Sequence, residues 1–398
     1  MNTHFKFCEG RLERITDWMQ NHVTQGRLAG LSVQIARPNH IIYKQHCGLA
    51  DREAGIKVDD QTLWRIYSMT KPITSLAVMM LYEKGLFQLD QPISDFISCF
   101  HNQRVWKDDG KVALKTEGLH RPMTVHDLLT HQSGVIYGDP LGNALELAYD
   151  KLDIRGETHA LTTQEAVQAL AKIPLAFQPG ERWEYGYSTD ILGHLVEVLS
   201  GMPLSQYFQS QILNPLDMND TGFRRRENTS VRLASCYGTT QNGLELLANT
   251  QDPNYGANVT FESGGAGLLS TLGDYQKLAD LFLGRGEVES VRLLGRKTFD
   301  FFVQNQLDGD LASCGQSHFS ETTFEGIGFG LGMLVMIDPV RAKILASKGE
   351  FGWGGMASTA FWIDPVENYS VILMTQLIPS STYTLRRDLR VLTQQALT

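Results

Sequence analysis

Hydrophobic and polar positions alternate near both ends of the chain, which is the pattern of β-strands. Segments 31–37 and 41–47, joined by turn residues 38–40, predict two neighbouring strands. Near the other end the same pattern predicts successive antiparallel strands at 328–337, 342–347, 358–364 and 369–376. Together they predict a sheet made from both ends of the chain.

Helical spacing of apolar residues appears in other segments. Residues 11–25 predict an early helix, and Leu385, Leu389, Leu392 and Ala396 fall on one face of a last one. After Ser68, the residues Ile73, Leu76, Ala77, Met80 and Leu81 share one face, with Pro72 in the first turn and Gly85 ending the helix. Ser68 is therefore expected to open a helix with one buried face.

The middle of the chain has a different pattern, with short helical segments and polar loops from about 91 to 223, for example 123–134 and 163–173. Strands early and late with helices between them predict an α+β or α/β domain, an antiparallel sheet flanked by helices, with a mainly helical domain inserted. We place the first domain at 1–95 and 225–398, the insertion at 96–224, and the active site between them.

Composition and charge exclude several classes of function. The chain has 398 residues, 42% of them hydrophobic, and a net charge of −9. An acidic chain lacks the basic face that nucleic acid requires, and the run Arg224–Arg226 is interpreted as a solvated loop. No apolar run is long enough to span a membrane, and the N-terminus has no apolar signal region, so we expect a cytoplasmic protein. Oligomeric state is not indicated.

Metal and cofactor signals are absent from the sequence. The five cysteines are scattered and form no C-x-x-C, which predicts neither a zinc site nor a disulfide framework. The glycines of segment 326–332 do not fit a dinucleotide-binding motif. We therefore predict no metal and no cofactor.

The residues Ser68 and Lys71 form the only S-x-x-K in the chain. A serine hydroxyl needs a nearby base to become a nucleophile, and a lysine one helical turn away is in reach. Burial and the positive end of a helix dipole would lower the pKa of that lysine, and the helix start would offer N–H groups to an oxyanion. On this motif alone, an ordinary N-cap serine followed by a solvated lysine is the favoured interpretation, and the context has to decide.

Two further segments give the motif a context. Segment 177–201 runs from a Pro-Gly turn through Tyr185 and Tyr187 into an amphipathic helix, and segment 347–365 places Trp353-Gly354-Gly355 just before a strand. With S-x-x-K in this order, and with 123–134 and 261–275, nearly the whole chain resembles the class C β-lactamase type of serine hydrolases. The likeness is greatest to the branch called family VIII carboxylesterases. It implies a β-lactamase/penicillin-binding-protein-like fold.

The resemblance also implies roles for individual residues. Ser68 would form the acyl-enzyme, Lys71 would share its proton, and Tyr185, acidified by Lys71, would be the general base. The oxyanion hole would consist of the Ser68 and Met356 N–H groups. The substrate-binding residues would be Trp353, Gly354, Gly355 and Tyr187, with Tyr255 of loop 250–261 as a further candidate.

Two departures from the β-lactamase pattern argue against efficient hydrolysis of β-lactams. Lactamases of this class carry Lys-Thr-Gly where this chain has Trp353-Gly354-Gly355, and Tyr-x-Asn where it has Tyr185-Gly186-Tyr187. The cation for a lactam carboxylate and the amide-recognising Asn are both missing. The resemblance therefore favours a serine carboxylesterase that acts on small-molecule short-chain esters.

Alternative functions stay open at this point. They are an acyltransferase on the same scaffold, a weak β-lactamase or D,D-peptidase, and a non-catalytic binding module. A Ser-His-Asp triad that uses His131 or His194 is a further possibility. His126 and His131 are otherwise interpreted as structural hydrogen-bonding residues, and Asp190 as a cap or a helix-surface acid.

Overall fold

The computed structural model describes residues 6–107, 115–139, 141–152, 154, 161–226, 232–315, 318–319 and 322–398. The α-helices in these ranges are α1 Glu9–Thr24, α2 Lys71–Glu83, α3 Val125–Leu129, α4 Ala144–Asp150, α5 Thr163–Leu170, α6 Ser188–Ser200, α7 Leu204–Phe208, α8 Leu272–Leu283, α9 Arg296–Phe302, α10 Leu311–Cys314, α11 Pro339–Ala342 and α12 Leu385–Gln394. The helices between α2 and α8 are mostly short, as the pattern of the middle segment predicts.

The strands comprise a large sheet and several small pairings. They are β1 Gly30–Arg37, β2 His40–Asp51, β3 Ile56–Lys57, β4 Trp64–Arg65, β5 Val105–Trp106, β6 Thr116–Glu117, β7 Cys236–Thr240, β8 Gly243–Ala248, β9 Leu269–Ser270, β10 Glu287–Val288, β11 Val291–Arg292, β12 His318–Phe319, β13 Thr322–Thr323, β14 Ile327–Phe329, β15 Leu334–Met336, β16 Phe351–Gly354, β17 Ala360–Asp364, β18 Tyr369–Thr375 and β19 Leu377–Ile378.

The large sheet is antiparallel and has the strand order β14-β15-β16-β17-β18-β1-β2-β3. It joins the two ends of the chain, because β1 pairs with β18 in the register Val33 to Leu373. Val33 points to the side covered by α1 and α12, while the Gln34 amide donates to Gln276 of α8 on the other side. Burial on both faces explains why β18 is apolar almost throughout.

Helix α2 lies in the core and is not an amphipathic surface helix. Every residue from Lys71 to Leu81 is buried. The sequence prediction of one buried face is therefore wrong in that respect, since the polar Thr74 and Ser75 lie inside as well. Ser68 does not begin the α-helix either, because it lies in a 3₁₀ turn, Tyr67–Thr70, that leads into it.

Two of the predicted strands are wrong. Segment 328–337 is the hairpin of β14 and β15, which turns at Gly332, whose φ is +108°. A Cβ at Gly332 would lie 2.2 Å from the Ser75 Oγ of α2, so this turn also requires glycine for space. Segment 342–347 contains no strand: α11 is capped by Asp338 and ends at Lys343, which has a left-handed conformation.

The described part of the chain contains no helix that is both long enough and apolar enough to cross a membrane. The cytoplasmic location stays a prediction. The domain boundaries near 95 and 225 also stay a prediction, although the large sheet does contain only strands from 30–57 and 327–375.

Candidate active site

The segment that carries Ser68 is held in place by buried hydrogen bonds. Arg65 of β4 is fully buried, and its guanidinium donates to Asp252 at 2.8 Å and to the Ala234 carbonyl. Tyr67 has a φ of +42°, a sparsely populated value that turns the chain sharply just before the serine. Ser68 remains partly exposed although its neighbours Met69 and Thr70 are buried.

The Lys71 side chain is fully buried, and its amine is hydrogen-bonded to groups from several segments. Its Nζ donates to the Ser68 Oγ at 3.4 Å, to the Tyr137 hydroxyl at 3.1 Å and to the Gly265 carbonyl at 2.8 Å. A solvated lysine after an N-cap serine is thereby excluded. The amine lies where it can exchange a proton with the serine or with a tyrosine.

Tyr185 lies against both residues in a box of aromatic rings. Lys71 Nζ is 4.5 Å from the centre of its ring, and the Trp353 indole N–H donates to its hydroxyl at 3.3 Å. The Trp183 ring is stacked with it at 6.2 Å and the His131 ring lies 4.9 Å away. These rings remove water from the phenol.

Burial therefore has the larger effect on the acidity of Tyr185. It raises the pKa of the phenol above its ordinary value, and the positive charge of Lys71 and hydrogen bonds with Lys71 and Ser68 only partly oppose the increase. The sequence interpretation named the direction of the Lys71 effect correctly, but not the net result.

Tyr137 is a residue of the site that the sequence analysis missed. Its hydroxyl accepts the Lys71 hydrogen bond, and its ring packs edge-on against Tyr185 at 5.3 Å and Tyr187 at 4.5 Å. It follows the segment 123–134 that was recognised as similar to the family, but no spacing to Ser68 or Lys71 could mark it. Only the fold brings it to the amine.

Tyr187 lies on the far side of Tyr137 from Tyr185. It is the N-cap residue of α6, and its ring is stacked with that of Tyr149 at 6.4 Å. Gly186 separates the two tyrosines and packs so closely on another segment that a Cβ would lie 2.1 Å from the Val135 carbonyl. The structure thus brings Tyr185 to Ser68 and places Tyr187 in the surrounding aromatic wall.

The Trp353–Met356 segment lies directly beside the serine turn. A Cβ at Gly355 would be 2.5 Å from the carbonyl of Ile66, and one at Gly354 would be 2.9 Å from the carbonyl of Thr359, so both positions require glycine. Arg386 of α12 donates to the Gly355 carbonyl at 2.8 Å and to the Thr359 carbonyl at 3.1 Å. The backbone before Met356 is therefore fixed from behind.

Met356 is the predicted second oxyanion donor. Its side chain is 48% exposed, and its N–H meets no acceptor among the residues that the structure describes. Such an N–H beside a serine turn is suited to an incoming oxygen. Its role stays a prediction.

Tyr255 occupies a different environment from the other predicted site residues. It is 6% exposed and packs in a small cluster with Leu63, Leu233 and Leu269, with the Arg65 guanidinium over its ring at 5.6 Å. These contacts give it a packing role against Arg65. A contact with substrate stays a prediction.

The alternative triad histidines are committed to other partners. His131 Nδ1 accepts from the Gly186 N–H and its Nε2 lies 3.5 Å from the Thr189 hydroxyl, while His194 pairs with Glu197 at 2.9 Å. Burial keeps the pKa of His131 well below its ordinary value. Across the described residues, no group of three or more potential metal ligands is close enough to hold an ion.

One acid was interpreted wrongly. Asp190 is not a helix-surface residue, because it is completely buried in the first turn of α6. Its carboxylate accepts from the Ser263 hydroxyl and from the Gly265 N–H.

Comparison with known proteins agrees with this geometry. A sequence model described as Beta-lactamase matches residues 15–395. The chain belongs to the Beta-lactamase family. Within this family it is 30% identical over 388 residues to Esterase EstB of Burkholderia gladioli, covering 92% of this chain and 89% of that one. The predicted recognition of a β-lactamase-like serine hydrolase related to family VIII esterases is confirmed.

Solved structures of similar proteins show the same fold. EstCE1, described as a hydrolase with promiscuous acyltransferase activity, has a TM-score of 0.82 at 25% identity and covers 97% of this chain and 99% of its own. Simvastatin synthase from Aspergillus terreus has a TM-score of 0.79 at 22% identity, with 96% and 97% covered. The likeness to simvastatin synthase shows the fold alone. The predicted β-lactamase/penicillin-binding-protein-like fold and the serine hydrolase class are confirmed, while the roles of individual residues are proposals.

Proposed function

We propose that this Beta-lactamase family member is a carboxylesterase that hydrolyses short-chain esters through an acyl-Ser68 intermediate. The observation that carries the proposal is the convergence of Lys71 and Tyr185 on a partly exposed serine, with Lys71 Nζ 3.4 Å from the Ser68 Oγ. The choice of reaction is supported by two similar proteins: EstB is named as an esterase, and EstCE1 is named as a hydrolase.

Acylation would begin when the Ser68 oxygen attacks the ester carbonyl and its proton passes to the Tyr185 oxygen. Tyr185 can take that proton as a phenolate beside the Lys71 ammonium, or as a phenol that passes its own proton to Lys71 Nζ when that amine is neutral. The negative charge on the carbonyl oxygen would be met by the N–H groups of Ser68 and Met356. The alkoxide leaves as an alcohol after it takes the proton back from the tyrosine.

Deacylation would repeat these steps with water. The water proton passes to Tyr185, the hydroxyl adds to the acyl carbon, and the Ser68 oxygen leaves with a proton from the same tyrosine. Lys71 remains hydrogen-bonded to the Gly265 carbonyl throughout, which fixes the position of its amine. One tyrosine and one lysine thereby serve both halves of the reaction.

Trp353 and the tyrosines argue for neutral esters. Trp353 stands where the lactamases of this type carry a lysine, and its indole points at the Tyr185 hydroxyl. A substrate carboxylate next to these rings would lose its water without gaining a fixed cation, which costs roughly several kcal/mol. The rings of Tyr137, Tyr185 and Trp353 lie within 5.3 Å of one another in successive pairs, which favours short acyl groups.

The test is a turnover panel of p-nitrophenyl acetate, butyrate, octanoate and laurate, with nitrocefin and benzylpenicillin measured beside them. We expect kcat/KM to be highest for the acetate or butyrate and roughly 10²-fold or more lower for the two lactams. Lactam hydrolysis that equals the best ester would contradict the proposed specificity. Labelling of a serine other than Ser68 by a phosphonate would contradict the mechanism.

An acyltransferase is the second candidate, because EstCE1 is described as having such promiscuous activity. The two reactions differ in the acceptor that meets the acyl-enzyme. Adding a primary alcohol during turnover of p-nitrophenyl butyrate separates them. A butyrate ester that forms faster than butyric acid at millimolar alcohol would favour the transferase.

A further inference from the structure

Asp190 has no place in the reaction as written, yet it is a completely buried carboxylate, and it binds the same residue, Gly265, that accepts from the lysine. Buried carboxylates are costly unless several donors surround them. The Oδ1 of Asp190 accepts from the Gly265 N–H at 3.1 Å and from the Ser263 hydroxyl. Both donors belong to one short turn, Ser263–Ala266.

This turn connects Asp190 with α2. Its two glycine carbonyls are acceptors: Gly265 takes the hydrogen bond of Lys71 Nζ at 2.8 Å, and Gly264 takes that of the Thr74 hydroxyl at 2.6 Å. The N–H side of the turn is therefore bound to α6 by Asp190, and the carbonyl side is bound to α2 by Lys71 and Thr74.

The turn has no room for side chains where it meets α6. A Cβ at Gly265 would lie 2.6 Å from the Asp190 Oδ2, and a Cβ at Gly264 would lie 2.7 Å from the Thr189 carbonyl. Close backbone contact of this kind leaves the position of the Gly265 carbonyl dependent on the carboxylate that holds its N–H. The lysine amine is in turn located by that carbonyl.

We infer that Asp190 is a positioning residue for Lys71, acting through the Ser263–Ala266 turn, and that it sets the distance between the amine and the Ser68 oxygen. The inference rests on the proposed function, because it assigns Lys71 to proton transfer. Without the carboxylate, the turn relaxes and the amine follows the Gly265 carbonyl away from the serine. A reaction that depends on this geometry slows, while binding of the ester in its pocket is unaffected.

The experiment compares Asp190→Ala with Asp190→Asn. Alanine removes both acceptors, whereas asparagine can keep its amide oxygen on the Gly265 N–H and the Ser263 hydroxyl. We expect Asp190→Ala to lower kcat for p-nitrophenyl butyrate by roughly 30-fold with KM within about twofold, and Asp190→Asn to recover most of the loss. Glu197→Gln, on the same helix but bonded to His194, is the matched control and should stay near wild type.

A second variant tests the route through the turn. Thr74→Val removes the donor to the Gly264 carbonyl, so it should lower kcat in the same sense, and less than the alanine variant does. Because both changes act on one turn, the double variant with Asp190→Ala should lose less than the product of the two single losses. Thermal unfolding measured on each variant separates loss of fold from loss of rate.

The outcomes keep the two proposals apart. If the wild type is labelled at Ser68 and hydrolyses the ester, but Asp190→Ala keeps its kcat, the inference is wrong and the proposed function stands. Equal losses from asparagine and alanine, or independent effects of the Thr74 and Asp190 changes, also overturn it. If the wild type neither reacts with a phosphonate at Ser68 nor turns over esters, the proposed function itself fails.

Discussion

Among the described residues, two serines are hydrogen-bonded to a basic side chain, and they differ in almost everything else. Ser32 of β1 lies 2.8 Å from His46 Nδ1, and the other nitrogen of that ring lies 3.2 Å from Asp60. In residue types this chain of contacts matches the Ser-His-Asp arrangement of many hydrolases. The groups beside Ser68 are a lysine and a tyrosine, so Ser68 does not have the histidine and aspartate of that arrangement.

The surroundings of the two serines nevertheless favour Ser68 as the nucleophile. Ser32 is completely buried in the middle of the large sheet, directly opposite His46 on one neighbouring strand and Met374 on the other. Its Asp60 is 58% exposed and is already paired with Lys44. Ser68 is partly exposed in a 3₁₀ turn that leads into a buried helix.

The comparison teaches that a nucleophile is recognised by access and by donors for the developing charge, and only then by its base. The Ser32 contacts follow from strand pairing, which places Ser32 and His46 side by side in any case. Those of Ser68 require three separate segments to meet. Four predictions can break or sharpen this contrast.

The largest effect is expected from the serines themselves. Ser68→Ala should lower kcat for p-nitrophenyl butyrate by roughly 10³-fold or more, because no other group replaces the covalent step. Ser32→Ala should leave kcat within about twofold and lower the unfolding free energy by roughly 1 kcal/mol. Ester turnover, phosphonate labelling with peptide mass mapping and thermal unfolding measure these effects. A Ser32 variant without activity but still folded would reverse our assignment.

The three tyrosines should separate next. Tyr185→Phe removes one oxygen and should lower kcat by roughly 10²-fold, as the loss of a proton-transfer group does. Tyr137→Phe removes one of the acceptors of the Lys71 amine and should lower kcat by roughly tenfold. Tyr187→Phe should change mainly KM. Steady-state kinetics on one ester decide the order. A collapse of kcat in the Tyr187 variant alone would contradict the assignment of Tyr185 as the proton-transfer residue.

A smaller effect is expected behind the oxyanion turn. Arg386→Met removes the guanidinium that donates to the Gly355 and Thr359 carbonyls, and kcat should fall by roughly tenfold as the Met356 N–H loses its position. Arg387→Met changes the adjacent residue, which donates to the Lys343 carbonyl, and serves as the control. The affinity for a boronate transition-state analogue should fall together with kcat. Equal effects of the two changes would contradict a specific role of Arg386 in positioning the Met356 N–H.

The smallest effect is a shift of the pH profile. Burial raises the pKa of Tyr185, so kcat/KM should increase with pH on the alkaline side of neutral if ionised phenol is required. The Trp353 N–H bonds the phenol oxygen and favours its ionised form, so Trp353→Phe should move this limb to higher pH by about 0.5 unit. The control is Trp183→Phe, since the Trp183 indole N–H is buried and has no partner among the described residues. A shift to lower pH would contradict the assignment.

Periodicity predicted the central strands and the first and last helices well, and it predicted the segment 328–337 and the burial of α2 poorly. Strands β1, β2, β17 and β18 and helices α1 and α12 were found where they were predicted, because each has neighbours of contrasting polarity and clear turn residues. The prediction of one strand over 328–337 was wrong because a glycine such as Gly332 is compatible with a strand as well as with a hairpin turn. Its close contact with Ser75 is visible only in the structure. Helix α2 is buried on all sides. Because it has no solvent-exposed polar face, its sequence pattern does not show how it packs.

The candidate site could be predicted only where residues lie close in sequence or in a recognisable motif. Ser68 and Lys71 are one turn apart, and Tyr185 and Trp353 came through the resemblance to a family. Tyr137 and Asp190 contact the lysine or its support from remote segments, and no local pattern marks such residues. The raised pKa of Tyr185 was missed for the same reason, since the burial that causes it comes partly from rings of remote segments, those of His131, Tyr137 and Trp353.

The contact between Trp353 and Tyr185 has a consequence for light emission. An excited indole transfers its energy readily to a neighbouring phenolate and poorly to a neutral phenol. Because the Trp353 indole donates to the Tyr185 oxygen, its fluorescence should fall when that phenol loses its proton and recover when it is reprotonated. The protein would then carry its own dye at the reacting group, and stopped-flow emission, with the Trp353→Phe variant as the blank, could follow the charge of Tyr185 through a single turnover.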